Sequence, residues 1–285
     1  MSNKAPAWVE PVMRAGYGAR GLVYTIVGGL ALTAAIYGGQ AQGTTNALAD
    51  LRSQSWGVAA LWVIAVGLWA YMLWRFIDAA MDLENYGDGA KGSFARGGLI
   101  VTGAIHAALG ISVATTAMGG GSSGEGTQSL VARLMAVPYG QWLVGLVGLG
   151  AIGAGIYYAH KGWTEKYKED IRVTPTTRKL DPAMKIGCIA QGIVVGIIGV
   201  MIVYAALTTN PEQAGGTGEA LQQIREAPFG RFLLAGIALG LIGFAIENFV
   251  EAAYRIIPAR AGDDVMSLAR RAKLKAEGKL NEATS

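Results

Sequence analysis

The sequence predicts an all-α membrane protein of six transmembrane helices, built as three tandem helical hairpins in a pseudo-threefold arrangement. Two observations predict it: six long apolar blocks almost free of charge, and a unit that recurs three times. The blocks cover roughly residues 17–37, 56–77, 97–118, 139–160, 186–207 and 229–250. Each can cross a hydrocarbon core of about 30 Å at about 1.5 Å per residue. Charged residues make up 15% of the chain, against about a quarter in soluble domains, so the blocks do not read as buried helices of a water-soluble core.

The recurring unit is an apolar segment, a polar loop and a second apolar segment. First segments align as 16–35, 98–117 and 187–206; second segments align on Trp56, Tyr139 and Phe229. Glycines keep register at Gly21, Gly103 and Gly192, at Gly28, Gly110 and Gly199, and at Gly67, Gly150 and Gly240. Small residues let membrane helices approach closely, and that is the first reading of these positions. The organisation that follows is a segment 1–13, repeats over 14–84, 95–170 and 185–257, and a basic tail over 258–285. Each repeat holds two spans, so all three share one orientation, related by an axis along the membrane normal.

The loops inside the repeats, 38–55, 119–138 and 208–228, begin glycine- and threonine-rich and end on apolar pairs three apart. These are Leu48 with Leu51, Val131 with Leu134, and Leu221 with Ile224. That spacing predicts short interfacial helices at the outer headgroup level, each with one apolar face. Pro138 and Pro228 are expected to open the fourth and sixth spans, where a proline costs little. Between repeats lie an acidic, glycine-rich connection over 78–96 and a charged linker over 161–185 with Pro175 and Pro182. In the tail, Val265, Leu268, Ala272 and Ala276 stand against Arg270, Arg271, Lys273, Lys275 and Lys279. This reads either as a basic helix on an anionic lipid surface or as a solvated, fraying tail.

Charge sets the orientation. Of the 24 Lys and Arg residues, 20 fall on the side of the termini; only Arg52, Arg133, Arg225 and Arg231 fall opposite. Basic loops stay in the cytoplasm, so both termini are expected there, in a bacterial inner membrane. The net charge of +4 follows from this bias, and no nucleic-acid partner is expected. No cleavable signal peptide is expected, because the first span is long and its pattern returns twice.

Polar residues within spans are costly and become candidates for function. His106 stands near mid-membrane, aligned with Tyr24 and Val195. It could relay protons, bind a haem or a pigment, or hydrogen-bond a neighbouring tyrosine or carbonyl; the last is the preferred reading. Arg20, Arg75, Asp78, Glu247 and Glu251 gather at the cytoplasmic ends of the spans. They form either an inner gate or a set of structural ion pairs, in which Arg20 and Arg75 relieve carboxylates at helix C-termini. Cys188 reads as a small packing residue. No metal-binding, nucleophile–base or phosphate-loop pattern occurs, so no catalytic residue, metal or cofactor is expected.

The stretch Arg14-Ala15-Gly16-Tyr17-Gly18-Ala19-Arg20-Gly21-Leu22-Val23-Tyr24, with the later Pro228-Phe229-Gly230-Arg231, resembles a bacterial family known as domain of unknown function 1206. The resemblance covers about residues 14–257. It implies three tandem two-helix membrane repeats and a location, and brings no activity. Thr102 and Gln191 stand where the first repeat has Arg20. The expected function is non-enzymatic: a protein that organises the membrane by binding lipid, a membrane-protein partner or a second copy of itself. The alternative is a channel or transporter for a small solute or ion through the helix bundle.

Overall fold

The computed structural model describes residues 6–41, 43–120, 127–258 and 267–276. In chain order the helices are α1 (Val9–Tyr37), α2 (Thr44–Arg52), α3 (Gly57–Met81), α4 (Ala90–Ala117), α5 (Thr127–Met135), α6 (Gly140–Trp163), α7 (Pro175–Thr208), α8 (Thr217–Glu226), α9 (Gly230–Tyr254) and α10 (Leu268–Ala276). The six long ones are apolar enough to cross a membrane. Helices satisfy their own backbone hydrogen bonds, which a hydrocarbon solvent demands.

The spans run past the apolar blocks at their inner ends. α7 starts at Pro175 rather than near residue 186, so part of the expected linker is helix. Thr174 accepts a hydrogen bond from the Thr177 amide in a capping box, and Pro175 fills the first helical position. α7 then continues through Pro182. Pro138 and Pro228 lie two residues before their helices instead of opening them. Tyr139 and Phe229 sit between, with left-handed φ of 61° and 60°.

The spans pack in the order α4, α3, α1, α9, α7, α6. This is a ring of three repeats in sequence order, closed between α9 and α1. Where one repeat meets the next, the aligned glycines perform the same task three times. A Cβ at Gly21 would lie 2.6 Å from the Phe249 ring, at Gly103 2.5 Å from Phe76, and at Gly192 2.6 Å from the Ala159 backbone. Two turns on, Gly28 faces Ile242, Gly110 faces Trp69 and Gly199 faces Ile152, all within 2.9 Å of such a Cβ. Phe76, Ala159 and Phe249 are equivalent in the repeats, as are Trp69, Ile152 and Ile242. Each first span thus receives the second span of the repeat before it, without a Cβ in the way.

Within the repeats the symmetry breaks. Gly16 abuts the backbone of Tyr71, and Gly187 abuts that of Phe244, the equivalent residue. Gly67 meets Ala19, and Gly240 meets Ala190, in the same way. In the middle repeat, Gly98 and Gly150 occupy these positions and have no contact within 4 Å. Among the described residues, α4 and α6 are not packed on each other, and the ring is open between them. Two substitutions explain the weakness: Ala151 and Ala154 stand where the outer repeats have Leu68 and Tyr71, or Leu241 and Phe244. Truncation of large buried side chains removes a few kcal/mol of packing. We call this opening the seam.

The outer half of the ring is filled. Val27, Ala31, Leu61, Leu68, Val113, Leu234 and Leu241 form one core with Leu48 of α2 and Leu221 and Ile224 of α8. The short helices therefore plug the bundle, with their apolar pairs turned into protein and not toward lipid. α5 is the exception: Val131 is buried, but Leu134 is 38% exposed. Polar side chains cap the outer helix ends. Arg231 Nε and Nη2 donate to the carbonyls of Ala35 (3.1 Å) and Ile36 (2.6 Å), and Gln141, its equivalent, donates to that of Ala206 (2.8 Å).

At the inner end, Lys168 bridges Glu165 (2.6 Å) and Asp181 (2.7 Å), fastening the linker to α7. The Leu268 amide donates to the Ile171 carbonyl, and Leu268 is buried with Tyr167 and Met184. The start of the tail thus docks on the linker; residues 259–266 and 277–285, including Val265 and Lys279, lie outside the described residues.

Three equivalent glycines should respond differently to one change. Gly16→Ala and Gly187→Ala force a Cβ against backbone that cannot yield and should cost about 1–3 kcal/mol; Gly98→Ala should cost nothing. Unfolding midpoints in detergent would show this, and equal losses at all three would refute the open middle repeat.

Candidate functional site

At the inner end of the ring, a line of buried polar groups crosses from α1 to α9. Arg20, one turn inside the glycine at 16 on α1, is buried. Its Nη1 donates to the Tyr71 hydroxyl at 2.8 Å, and Arg75 Nε donates to the same oxygen at 2.8 Å. Arg75 Nη2 donates to the Tyr17 hydroxyl at 2.9 Å. Arg75 Nη1 lies 3.8 Å from Asp78 and 3.9 Å from Glu84. Glu84 is paired with Arg255, and Arg255 with Glu251. Glu251 lies 3.7 Å from Lys161, which forms a 2.8 Å bond to Glu247. Cys188 Sγ is 3.9 Å from the same Glu247 oxygen.

This line alternates in sign wherever it carries carboxylates, so each buried carboxylate faces a cation. Burial alone would raise the Glu84 carboxyl, but the Arg255 and Arg75 guanidiniums overcome it and hold it at about 2. The pairs join different elements. Glu84 follows α3, Arg255 follows α9, Lys161 ends α6, and Asp170 of the linker lies 3.5 Å from Arg255. Removing one member of such a pair strands a buried charge, at about 3–5 kcal/mol.

The carboxylates find other partners than the sequence suggests. Arg75 serves Asp78, but Lys161 and Arg255 serve Glu247 and Glu251. Arg20 has no carboxylate within ion-pair distance among the described residues, and its Nε has no hydrogen-bond partner. Aromatic faces surround it instead: its guanidinium carbon is 4.6 Å from the Tyr71 centroid, 5.6 Å from Phe244 and 5.8 Å from Tyr24. A desolvated cation gains about 2 kcal/mol from such a face. Its equivalent in the third repeat, Gln191, donates to the Tyr24 hydroxyl at 2.9 Å.

His106 is placed by packing. Its ring lies 4.5 Å from Tyr71, and its Nδ1 is 2.8 Å from the Thr102 carbonyl. Tyr24, the equivalent residue, meets Phe244 edge to face at 4.8 Å between centroids. His106 therefore repeats an inter-repeat aromatic contact. Arg20 and His106 meet through Tyr71, while Glu247 and Glu251 lie at the other end of the line. Among the described residues, no group of three His, Cys, Asp or Glu side chains is arranged to hold a metal.

Sequence reasoning missed Glu84 and Arg255. Glu84 lies past a span, where a carboxylate reads as solvated. Arg255 had a signal: its equivalents are Asp82 and Glu165, so one repeat reverses the charge at this position.

The family described as Domain of Unknown Function (DUF1206) matches residues 15–82, 97–165 and 186–255. The uncharacterized protein YxxB of Bacillus subtilis (strain 168) is 29% identical over 259 residues, which cover 90% of this chain and 94% of that one. No solved structure matches. The matched stretches coincide with the three repeats of the ring, and this multi-span membrane protein belongs to the DUF1206 family, with three tandem copies of its domain.

Proposed function

We propose that the protein is non-enzymatic and organises the membrane, holding lipid or a partner membrane protein against its middle repeat. The seam carries this reading. Helix faces that are packed in the first and third repeats stand uncovered in the second, with Val101, Ile105, Val147 and Tyr157 all more than half exposed. The charge line supports it from the other side. Its groups are spent on each other and on holding helices together, as a clamp requires. The bacterial relative and the charge bias support an inner-membrane location with both termini in the cytoplasm.

A second reading, a channel or transporter, draws on Arg20 and on the Gln191 Oε1, both buried with unpartnered atoms. Against it stands the apolar core that fills the outer half of the ring.

Protein extracted with its surrounding bilayer should retain lipid or a protein at fixed stoichiometry in native mass spectrometry, and vesicles containing it should stay tight. A bare monomer would refute the organiser reading; ion or solute flux altered by His106→Ala would favour transport. For orientation, cysteines at Ser53, Gln128 and Glu212 should react with an impermeant thiol reagent from outside intact cells, and one at Asp88 should not. The reverse pattern would invert the topology.

The clamp has its own test. Glu84 titrates at about 2, against an ordinary glutamate near 4.5. A lowered pKa contributes stability above the ordinary value and loses it as pH falls from about 4.5 toward 2. Glu84→Gln should cost about 3–5 kcal/mol at pH 7 and flatten the stability profile across that interval. Retention of bound lipid or partner should not change.

A further inference from the structure

We infer that the linker and the docked start of the tail form one surface that holds anionic phospholipid headgroups at the inner end of the bundle. This surface is separate from the middle-repeat faces and goes beyond the role proposed for them. It follows from how the linker spends its charges. Glu165 is taken by Lys168 (2.6 Å) and Lys185 (2.9 Å), Asp181 by Lys168 (2.7 Å), and Asp170 lies 3.5 Å from Arg255. Of the linker's carboxylates only Glu169 stays exposed with no ion pair among the described residues. The cations are left over. Lys166, Arg172, Arg270 and Lys273 are exposed, Arg271 is half-buried, and none of the five has a carboxylate within ion-pair distance among the described residues. The other connection between repeats differs. There Arg75 meets Asp78 and Glu84, and Arg96 meets Asp88 at 3.8 Å, which leaves Lys91. The surplus positive charge is therefore local to the linker and the tail.

Backbone hydrogen bonds gather these cations. On one edge of segment 170–172, the Arg172 amide donates to the Tyr254 carbonyl (2.9 Å) and the Ile256 amide to that of Asp170 (2.7 Å). On the opposite edge the Leu268 amide donates to the Ile171 carbonyl (2.9 Å). Ser267, which pairs with Arg172, also accepts the Arg270 amide on its Oγ (3.2 Å). Arg172 is thereby set beside the first turn of α10, which carries Arg270 and Arg271. Packing sets the depth. Leu268 is buried with Tyr167 and Met184, and Met184 lies two residues before the apolar block at 186, about 3 Å along the helix axis. Trp163, 77% exposed at the end of α6, marks the same level as an interfacial aromatic. The surface thus begins at headgroup depth, and attraction between charges reaches about 8 Å in physiological salt. A phosphodiester there gains several cations and meets one unpaired carboxylate. A soluble acidic partner would have to enter the layer of negative headgroups to reach them, whereas lipid is already present.

Phosphatidylglycerol serves as the probe. The full chain is placed in nanodiscs with equal amounts of phosphatidylglycerol and phosphatidylcholine, and the lipids it keeps are read by native mass spectrometry. Phosphatidylglycerol should be retained in excess, and raised salt should reduce the excess. Lys166→Gln, Arg172→Gln, Arg270→Gln, Arg271→Gln and Lys273→Gln together should weaken its retention by about tenfold or more, with the unfolding midpoint unchanged. Lys91→Gln should leave retention as it was. Leu268→Ser keeps every charge and frees the tail from the linker, and it too should weaken retention. No excess in the unmodified chain overturns the proposal, and so does an equal excess in the five-fold variant. Full retention in Leu268→Ser overturns the docked surface. Phosphatidylcholine or a partner protein still held at fixed stoichiometry, with no phosphatidylglycerol excess, overturns this surface and leaves the role of the middle repeat standing.

Discussion

The ring depends on how near two helix backbones can come. In lipid, no water is released when one apolar helix leaves hydrocarbon for another, so association rests on van der Waals contact at short range. Contact energy falls steeply with a gap of even half an ångström. Glycines at 21, 28, 103, 110, 192 and 199 remove the obstacle at each junction between repeats, and the facing residue fills the groove. Because the three junctions use equivalent residues, the pseudo-threefold order follows from the repeat itself.

The contacts within repeats are not protected in the same way. They need bulk on the second span as well as glycine on the first. Tyr71 supplies it in the first repeat and Phe244 in the third, and each also carries a ring contact to the next repeat. Tyr71 has a further task, since its hydroxyl receives both Arg20 and Arg75. An alanine at 154 removes the packing, the ring contact and the polar anchor together. The middle hairpin thus loses several interactions through one position, and opens while its junctions hold.

Much of this was legible in the sequence. Six spans, three repeats and the anchor glycines follow from hydropathy and alignment alone. Which glycine faces which helix does not, since a small residue marks an interface without naming the partner. The opening had a trace, in Ala151 and Ala154 against larger equivalents, but its effect depends on ring closure at α9 and α1, which is a property of the whole bundle. The charged cluster was legible in membership and not in pairing. Depth along the chain places Arg20 beside the carboxylates, and only the rotation of α1 turns it toward aromatic rings. Glu84 and Arg255 escaped because they leave the spans and fold back over their ends.

The inner charge line and the seam answer one mechanical problem. An open ring has two free ends, and thermal motion would widen it unless something ties the repeats across the gap. The line holds the α6 end at one level. It runs from α3 through Glu84 and Arg255 to α9, and through Glu251 to Lys161 on α6. Lys161 is the member contributed by α6, and its equivalents are Asp78 and Glu251. A cation at this one position converts a potential trio of like charges into a bond between α6 and α9. Among the described residues α4 adds no charge to the line; Gly103, Gly110 and His106 hold it to α3 instead. One end of the ring is therefore fixed by charge and the other by packing. The seam faces between them stay uncovered and held in place, as a surface that is to be recognised must be.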